Sequence, residues 1–242
     1  MDEHDSGIDR RGFVKGSLAL GLAGLLRPGI LFAEQVSGQN GYVDLPFERG
    51  RRPLASFPQK RPLMVMTTRP PQLETPFSVF NEHIFTPNDA FFVRWHLANI
   101  PQAIDVDTFR LTIRGRVNHP LSLSLNALQT QFEQVEIAAV CQCAGNSRGF
   151  FQPRVPGGQW GNGAMGNAKW KGVRLRDLLQ KAGMKDDARQ IRFDGLDQPV
   201  AEATPDFQKS LNLDDAIQKE VLVAHSMNGE PLPMLNGFPL RL

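Results

Sequence analysis

Val135-Glu136-Ile137-Ala138-Ala139-Val140-Cys141-Gln142-Cys143-Ala144-Gly145-Asn146-Ser147-Arg148-Gly149 is the stretch that decides how this chain is read. Its first part, up to Cys141, is an apolar, β-branched run that suits a buried strand. A loop of small residues comes next, and the strand delivers Cys143 into it, with Arg148 five residues on. A soft thiolate is what a sulfur-seeking transition metal requires. A guanidinium grips an oxyanion through two parallel hydrogen bonds, which an ammonium does not. The same residues also suit an inert buried cysteine beside a surface arginine, so this segment alone leaves both open. Cys141 shares a strand face with Cys143, but a bridge between residues two apart is strained. Cys143, which leads the loop, is the candidate.

Working outward, Asn88-Asp89-Ala90-Phe91-Phe92-Val93-Arg94-Trp95-His96 places Arg94 and His96 on one side of an extended segment, with Phe92 behind them. Joined to Cys143 and Arg148, they make a better anion site than any of them singly. Phe109 to Arg114 alternates as a half-exposed strand, and Leu121, Leu123 and Leu125 alternate again. Ser124 or Asn126 then caps a short helix running to Phe132. Val173 to Ala182 has helical spacing and stops at Gly183. Ile191-Arg192-Phe193 and Val221 to Ala224 are further strands, and Asn228-Gly229 is a turn between strands. Asp214-Asp215 suit the first turn of a helix. Strands and helices without a βαβ rhythm make the fold class α+β. Phe238 to Leu242 reads as the opening of a strand with nothing after it, which suggests a truncated sequence.

Composition excludes several classes. With 27 Lys+Arg against 25 Asp+Glu the net charge is +2, too balanced for an electrostatic nucleic-acid binder. Only two cysteines rule out a disulfide-dense scaffold, and Cys141 and Cys143 leave no Cys-x-x-Cys-His for a covalent haem. At the N-terminus, Arg10-Arg11-Gly12-Phe13 precedes an apolar run from Gly16 to Leu26 that Arg27 and Pro28 interrupt. That is the twin-arginine export pattern, expected over residues 1–33 with Ala33 as a plausible last residue. The run is far short of the roughly 20 apolar residues that span a bilayer, so no membrane span is expected. Proteins exported this way are already folded, commonly around a cofactor. Residues 34–80 are rich in Pro, Gly and polar residues and are expected to form an irregular, extended arm or linker; five prolines between Pro53 and Pro71 exclude a helix there. Residues 81–242 are expected to be the functional domain.

Phe-Val-Arg-x-His at Phe92–His96, Cys-Ala-Gly-Asn-x-Arg at Cys143–Arg148 and Gly-Phe-Pro-x-Arg at Gly237–Arg241 together resemble the sulfite oxidase family of molybdenum enzymes. The run Gln159 to Ala168 is similar to its bacterial, periplasmic sulfite dehydrogenase branch. The likeness covers roughly Phe80 to Leu242 and implies a sulfite-oxidase-type molybdopterin-binding domain of mixed sheets and short helices, incomplete at its C-terminus. It implies that Cys143 ligates molybdenum, one metal per chain, and that Phe92, Val93, Arg94, Trp95 and His96 bind the pterin and border the metal. Arg94 and Arg148 match arginines that face the substrate oxyanion. Asp197 matches a pterin contact, and Arg241 a residue holding the cofactor phosphate. Asn236 stands where the family usually has His, and can still hydrogen-bond without carrying charge.

The reaction so implied is oxidation of sulfite, or a similar small oxyanion, to sulfate by oxygen-atom transfer. The electrons pass to a separate c-type cytochrome, since no haem is expected in this chain. The family's active-site tyrosine has no counterpart here, where Tyr42 is the only tyrosine. The chain is therefore expected to hold most of the cofactor cradle without the complete substrate site, and to show weak or no turnover alone. Competing expectations are a sulfane dehydrogenase subunit, a methionine-sulfoxide reductase of the same fold, a non-catalytic exported binding module and, more distantly, a cysteine peroxidase. Lys169, Lys171 and Arg174 suit a solvated basic face.

Overall fold

Two antiparallel sheets, two hairpins and three α helices are built from residues 35–37, 41–218 and 221–242, which the computed structural model describes. The leader expected over residues 1–33 lies outside the described residues. The first sheet is a meander of β1 (Gln35–Ser37), β2 (Tyr42–Asp44), β3 (Arg51–Phe57), β4 (Lys60–Thr68), β5 (Pro71–Glu74) and β6 (Val93–Arg94), neighbours in space as in sequence. A hairpin of β7 (Leu111–Ile113) and β8 (Leu121–Leu123) is next, then α1 (Leu125–Gln131). The second sheet contains β9 (Val135–Gln142), β10 (Met165–Arg174), β13 (Leu222–Met227) and β14 (Glu230–Pro231), in the order β14-β13-β10-β9. The helix α2 (Leu175–Ala182) follows β10; β11 (Gln190–Asp194) and β12 (Gln208–Asn212) pair as the second hairpin, followed by α3 (Leu213–Ala216). No helix among the described residues is long and apolar enough to cross a membrane.

Local chemistry accounts for most of these elements. Ser124 caps α1 by accepting from the Ala127 N–H at 3.1 Å. The helix α2 buries Leu175, Leu178, Leu179 and Ala182, the i, i+3, i+4, i+7 stripe of an amphipathic helix, and Gly183 ends it in the left-handed region at φ 65°. That stripe packs with Val173 and Val223 of the second sheet into one core. Phe91, Phe92, Trp160, Trp170, Met227 and Leu232 form another, and Leu63, Val65, Leu73 and Val93 a third, within the first sheet. The Asn228-Gly229 turn joins β13 to β14 with both residues at positive φ, as a two-residue hairpin loop demands.

The structure departs from the sequence reading in three places. Residues 41–74, expected as an irregular arm, are extended but paired, forming β2 to β5. Pro53, Pro62 and Pro71 lie inside these strands, and register shifts at Ala55/Phe57 and Val65/Thr67 break the period of two that would have revealed them. The strand β9 is an edge strand with only one face turned inward. Ile137, Ala139 and Cys141 pack on the core, while Val140 on the opposite face is 61% exposed. The helix α2 begins at Leu175, because Val173 and Arg174 still pair with β13.

Candidate functional site

The edge strand β9 ends at Gln142, and Cys143 opens a loop closed by its own backbone. The Asn146 N–H donates to Cys143 O at 2.9 Å and the Arg148 N–H to Gly145 O at 3.1 Å. Ser147, at φ 66°, reverses the chain. The Cys143 thiol is half-buried, and its Sγ accepts the Gly145 N–H at 3.4 Å. The Arg148 side chain folds back over the same glycine: a Cβ at Gly145 would lie 2.9 Å from Arg148 Nη1, and one at Gly157 2.5 Å. Gly145 thus separates thiol from guanidinium, and its lack of a side chain lets them approach. Arg148 Nη1 also donates to Gly158 O at 3.4 Å.

A second loop, Gly157 to Ala164, packs against the first. Ser147 N–H donates to Gly161 O at 2.6 Å, Gly149 N–H to Trp160 O at 2.9 Å, and Cys143 N–H to Ala164 O at 2.9 Å. A Cβ at Gly158 would lie 3.5 Å from Gln72 Oε1 on β5. Gln72 is the register partner of Arg94, so their side chains share one face of the first sheet, the face turned to Gly158 and Arg148. Gln72 thus links the strand that carries Arg94 to the Gly158 segment that Arg148 contacts. Among the described residues neither Arg94 nor Arg148 makes an ion pair with a carboxylate.

Beyond Arg94 the site continues through His96. Arg94 Nη1 lies 3.2 Å from His96 Nδ1, and as a guanidinium only donates, that nitrogen accepts and the ring proton sits on Nε2. Desolvation, with Phe207 stacked on the ring at 4.2 Å, holds His96 below its ordinary value; Arg94 and Lys209 add to this and Asp197 opposes it. Burial pushes the Asp197 carboxyl up, its own backbone N–H opposing, with Asp206 and Asp194 adding to the rise. The bridge between Asn99 and Gln198 brings the Asp197 loop alongside the segment that follows His96.

The other expected residues play different parts. Phe92 and Val93 bury their side chains, so their backbone is what they offer to a ligand. Trp95 is tied down by its Nε1–H donating to Leu235 O at 3.0 Å. Asn236 is buried and donates through Nδ2 to Phe92 O at 3.0 Å. Arg241 donates to Asn236 O at 3.2 Å and to Cys141 Sγ at 3.0 Å, with its guanidinium over the Trp170 ring. Cys141 is thus occupied by an arginine, while the Cys143 thiol, just past the end of β9, has the weak Gly145 N–H as its hydrogen-bond partner among the described residues.

Three polar residues of the first sheet were not anticipated. Lys60 is 6% exposed and donates to Asn236 Oδ1 at 2.5 Å, Asn88 O at 2.5 Å and Phe91 O at 3.1 Å. Burial pushes its amine down to about 7, with Asp89 opposing and Arg241 adding to the fall. Glu74 is fully buried and Arg52 half-buried; burial raises the Glu74 carboxyl, against hydrogen bonds from Gly163 and Gly161 and the charge of Arg52. The only hint in the sequence is a charged residue inside each stretch of β3, β4 and β5. No spacing relates them to Cys143.

These residues fit an anionic, sulfur-ligated cofactor. Among the described residues, a half-buried thiol shares a short loop with Arg148, which no carboxylate pairs, and a buried amine and Arg241 converge on Asn236 with no carboxylate bonded to either.

Comparison with known proteins agrees. A profile of the oxidoreductase molybdopterin binding domain matches residues 96–242. Mitochondrial sulfite oxidase of Rattus norvegicus is 38% identical over 199 residues, 78% of this chain and 35% of that protein. The human enzyme is 39% identical over 199 residues, with the same shares covered. The chain thus spans about a third of the length of these relatives. Among solved structures, the sulfane dehydrogenase of Paracoccus pantotrophus matches with a TM-score of 0.53 and 27% identity, over 65% of this chain and 38% of that one. The α+β sheets and these matches together mean that the chain belongs to the sulfite oxidase family of molybdopterin oxidoreductases.

Proposed function

We propose that this chain is the molybdopterin-binding part of a periplasmic sulfite dehydrogenase, which converts sulfite and water to sulfate, two protons and two electrons. The electrons go one at a time to a separate c-type cytochrome. The observation that carries the reading is the Cys143–Arg148 loop, where a thiol and a guanidinium flank Gly145. When bound, molybdopterin supplies the two-electron oxygen-atom transfer; the protein supplies position and charge.

In this reading Cys143 gives the thiolate to the metal, one per chain. Arg94 and Arg148 hold the oxyanion, each able to make paired hydrogen bonds to two of its oxygens. His96, kept neutral, accepts from Arg94 and so orients that guanidinium without adding charge. The backbone from Phe92 to His96 and the Asp197 loop border the pterin, and Asn236 and Arg241 hold its phosphate. Relatives named sulfite oxidase support sulfite as the substrate. The likeness to a sulfane dehydrogenase supports a second reading, in which the same site takes sulfane sulfur. The paired Arg10-Arg11 supports export through the twin-arginine machinery to the periplasm.

The test is molybdenum by elemental mass spectrometry on the chain from a molybdopterin-competent host, beside Cys143→Ser. About one metal per chain, lost in the variant, is expected. Sulfite-dependent reduction of cytochrome c is then compared with sulfane sulfur and methionine sulfoxide as rival substrates. A wild-type chain without molybdenum from such a host would overturn the reading in favour of a metal-free binding module.

A further inference from the structure

The loop that supports Cys143 is itself held from behind, and by a residue far from any motif. Glu74, the last residue of β5, has no exposure to solvent. Its two carboxylate oxygens face two backbone donors of one loop: Oε2 accepts the Gly161 N–H at 3.0 Å and Oε1 the Gly163 N–H at 2.8 Å. Next to it, the Thr75 N–H donates to Gly163 O at 3.2 Å. Arg52 of β3 reaches the same loop, donating through Nη2 to Gln159 O at 3.0 Å.

The loop is therefore pinned on one side by the first sheet and bonded on its other side to the cysteine loop. Gly161 O takes the Ser147 N–H, Trp160 O takes the Gly149 N–H, and Ala164 exchanges two bonds, its O with the Cys143 N–H and its N–H with Asn146 Oδ1. The glycines make this possible. A Cβ at Gly161 would stand 2.7 Å from Glu74 Oε1, and one at Gly163 1.9 Å from Thr75 O. Only bare backbone fits between the carboxylate and the loop, which gives Gly161-Asn162-Gly163 a physical reason.

We infer that Glu74, assisted by Arg52, is a positioning residue that sets the Cys143–Arg148 loop through the Gln159–Ala164 segment. A carboxylate suits this task because it only accepts, on both oxygens. Glutamine would accept one N–H and turn its NH2 towards the other, and aspartate, one methylene shorter, would not span both donors. The inference rests on Cys143 being the working residue of the proposed site, but its test does not depend on the metal.

The experiment uses the full chain from a host that makes no molybdopterin, and follows alkylation of Cys141 and Cys143 by iodoacetamide with mass spectrometry. Cys141 is an internal control, since it lies inside β9, paired with Gly166 of β10, away from the clamp. In Glu74→Gln the Cys143 rate should rise at least about fivefold and the Cys141 rate less than about twofold. Arg52→Gln, a milder change at a more exposed residue, should show the same selectivity with a smaller rise. Glu74→Asp should behave like Glu74→Gln. An unchanged Cys143 rate, or both cysteines rising together as in general loosening, would overturn the inference.

A second arm measures molybdenum in the same variants from a molybdopterin-competent host, where Glu74→Gln should retain under about a third of the wild-type content. Selective Cys143 exposure with a metal-free wild type would keep the clamp and refute the molybdenum reading. A metal-loaded wild type with no selective exposure in the variant would do the reverse.

Discussion

Lys60 offers the sharpest quantitative test of how the site is built. Its ammonium is surrounded by three carbonyl oxygens, from Asn88, Phe91 and Asn236, and is almost out of contact with water. Replacing it with methionine has two opposed effects of similar size. Each acceptor left without a donor costs about 1–3 kcal/mol. Removing an amine held near 7 rather than 10.5 relieves a desolvation cost of up to about 5 kcal/mol at 1.36 kcal/mol per pKa unit. The net change at neutral pH is therefore a poor test, but the pH dependence is a good one.

Between about pH 7 and 10.5 the unfolded chain keeps the Lys60 proton and the folded chain loses it. The unfolded state then binds more protons, so stability rises with pH across that window; below it both states are protonated and the full cost stands. From pH 7 to pH 9 the linkage integral gives a gain of about 2 kcal/mol. Urea unfolding of the cofactor-free chain, followed by tryptophan fluorescence under reducing conditions at pH 7, 8 and 9, measures it. The difference between wild type and Lys60→Met cancels other titrating groups, and it should widen by that amount in favour of the wild type. Parallel lines for the two proteins would refute the reasoning.

Arg94→Gln removes the charge next to His96, so the His96 imidazole should titrate at higher pH, nearer its ordinary value; an NMR titration in which it does not move would contradict the Arg94–His96 contact. Leu178→Ala empties a fully buried position on α2 and should cost about 2–5 kcal/mol in urea unfolding. Ser124→Ala removes the α1 cap, at about 1 kcal/mol by the same assay.

What the sequence discloses and what it hides divide along a physical line. The cap at Ser124, the stop at Gly183, the Asn228-Gly229 turn and the α2 stripe are visible because each is decided by residues within one or two turns of chain. The Cys143 loop is visible because its chemistry is carried by residue types in a short span. The β10 strand is hidden inside Met165–Arg174, where Gly166 and Ala168 fill inward positions with too little apolar bulk to mark a period of two. The first sheet is hidden for a different reason. Its strands carry prolines and bulges, and what justifies them is pairing with each other and contact with a loop far along the chain. Lys60 bonds to a residue 176 positions away and Glu74 to one 89 away, distances over which no local pattern exists.

That hidden sheet changes how the site's parts depend on one another. The family profile begins at residue 96, yet Arg94, Gln72, Glu74, Lys60 and Arg52 all come from strands upstream of it. The contacts of Glu74 and Arg52 with the downstream half fall on backbone atoms, the Gly161 and Gly163 amides and the Gln159 carbonyl, while Lys60 reaches the Asn236 side chain. Backbone contacts place no demand on residue type beyond room for approach, so they leave glycines and no recognisable motif. They still demand the charges opposite, because each buried amide or carbonyl without its partner costs about 1–3 kcal/mol. A chain starting at residue 96 would retain the profile, the thiol and Arg148. It would lose Arg94, the two acceptors beneath the Gly161–Gly163 loop and the donor beneath Asn236. The thiol loop would then rest on a segment bonded on one side only. The upstream sheet thus reaches both the segment behind the cysteine loop, through Glu74 and Arg52, and Asn236, through Lys60, so its charged residues enter the site's geometry without any motif of their own.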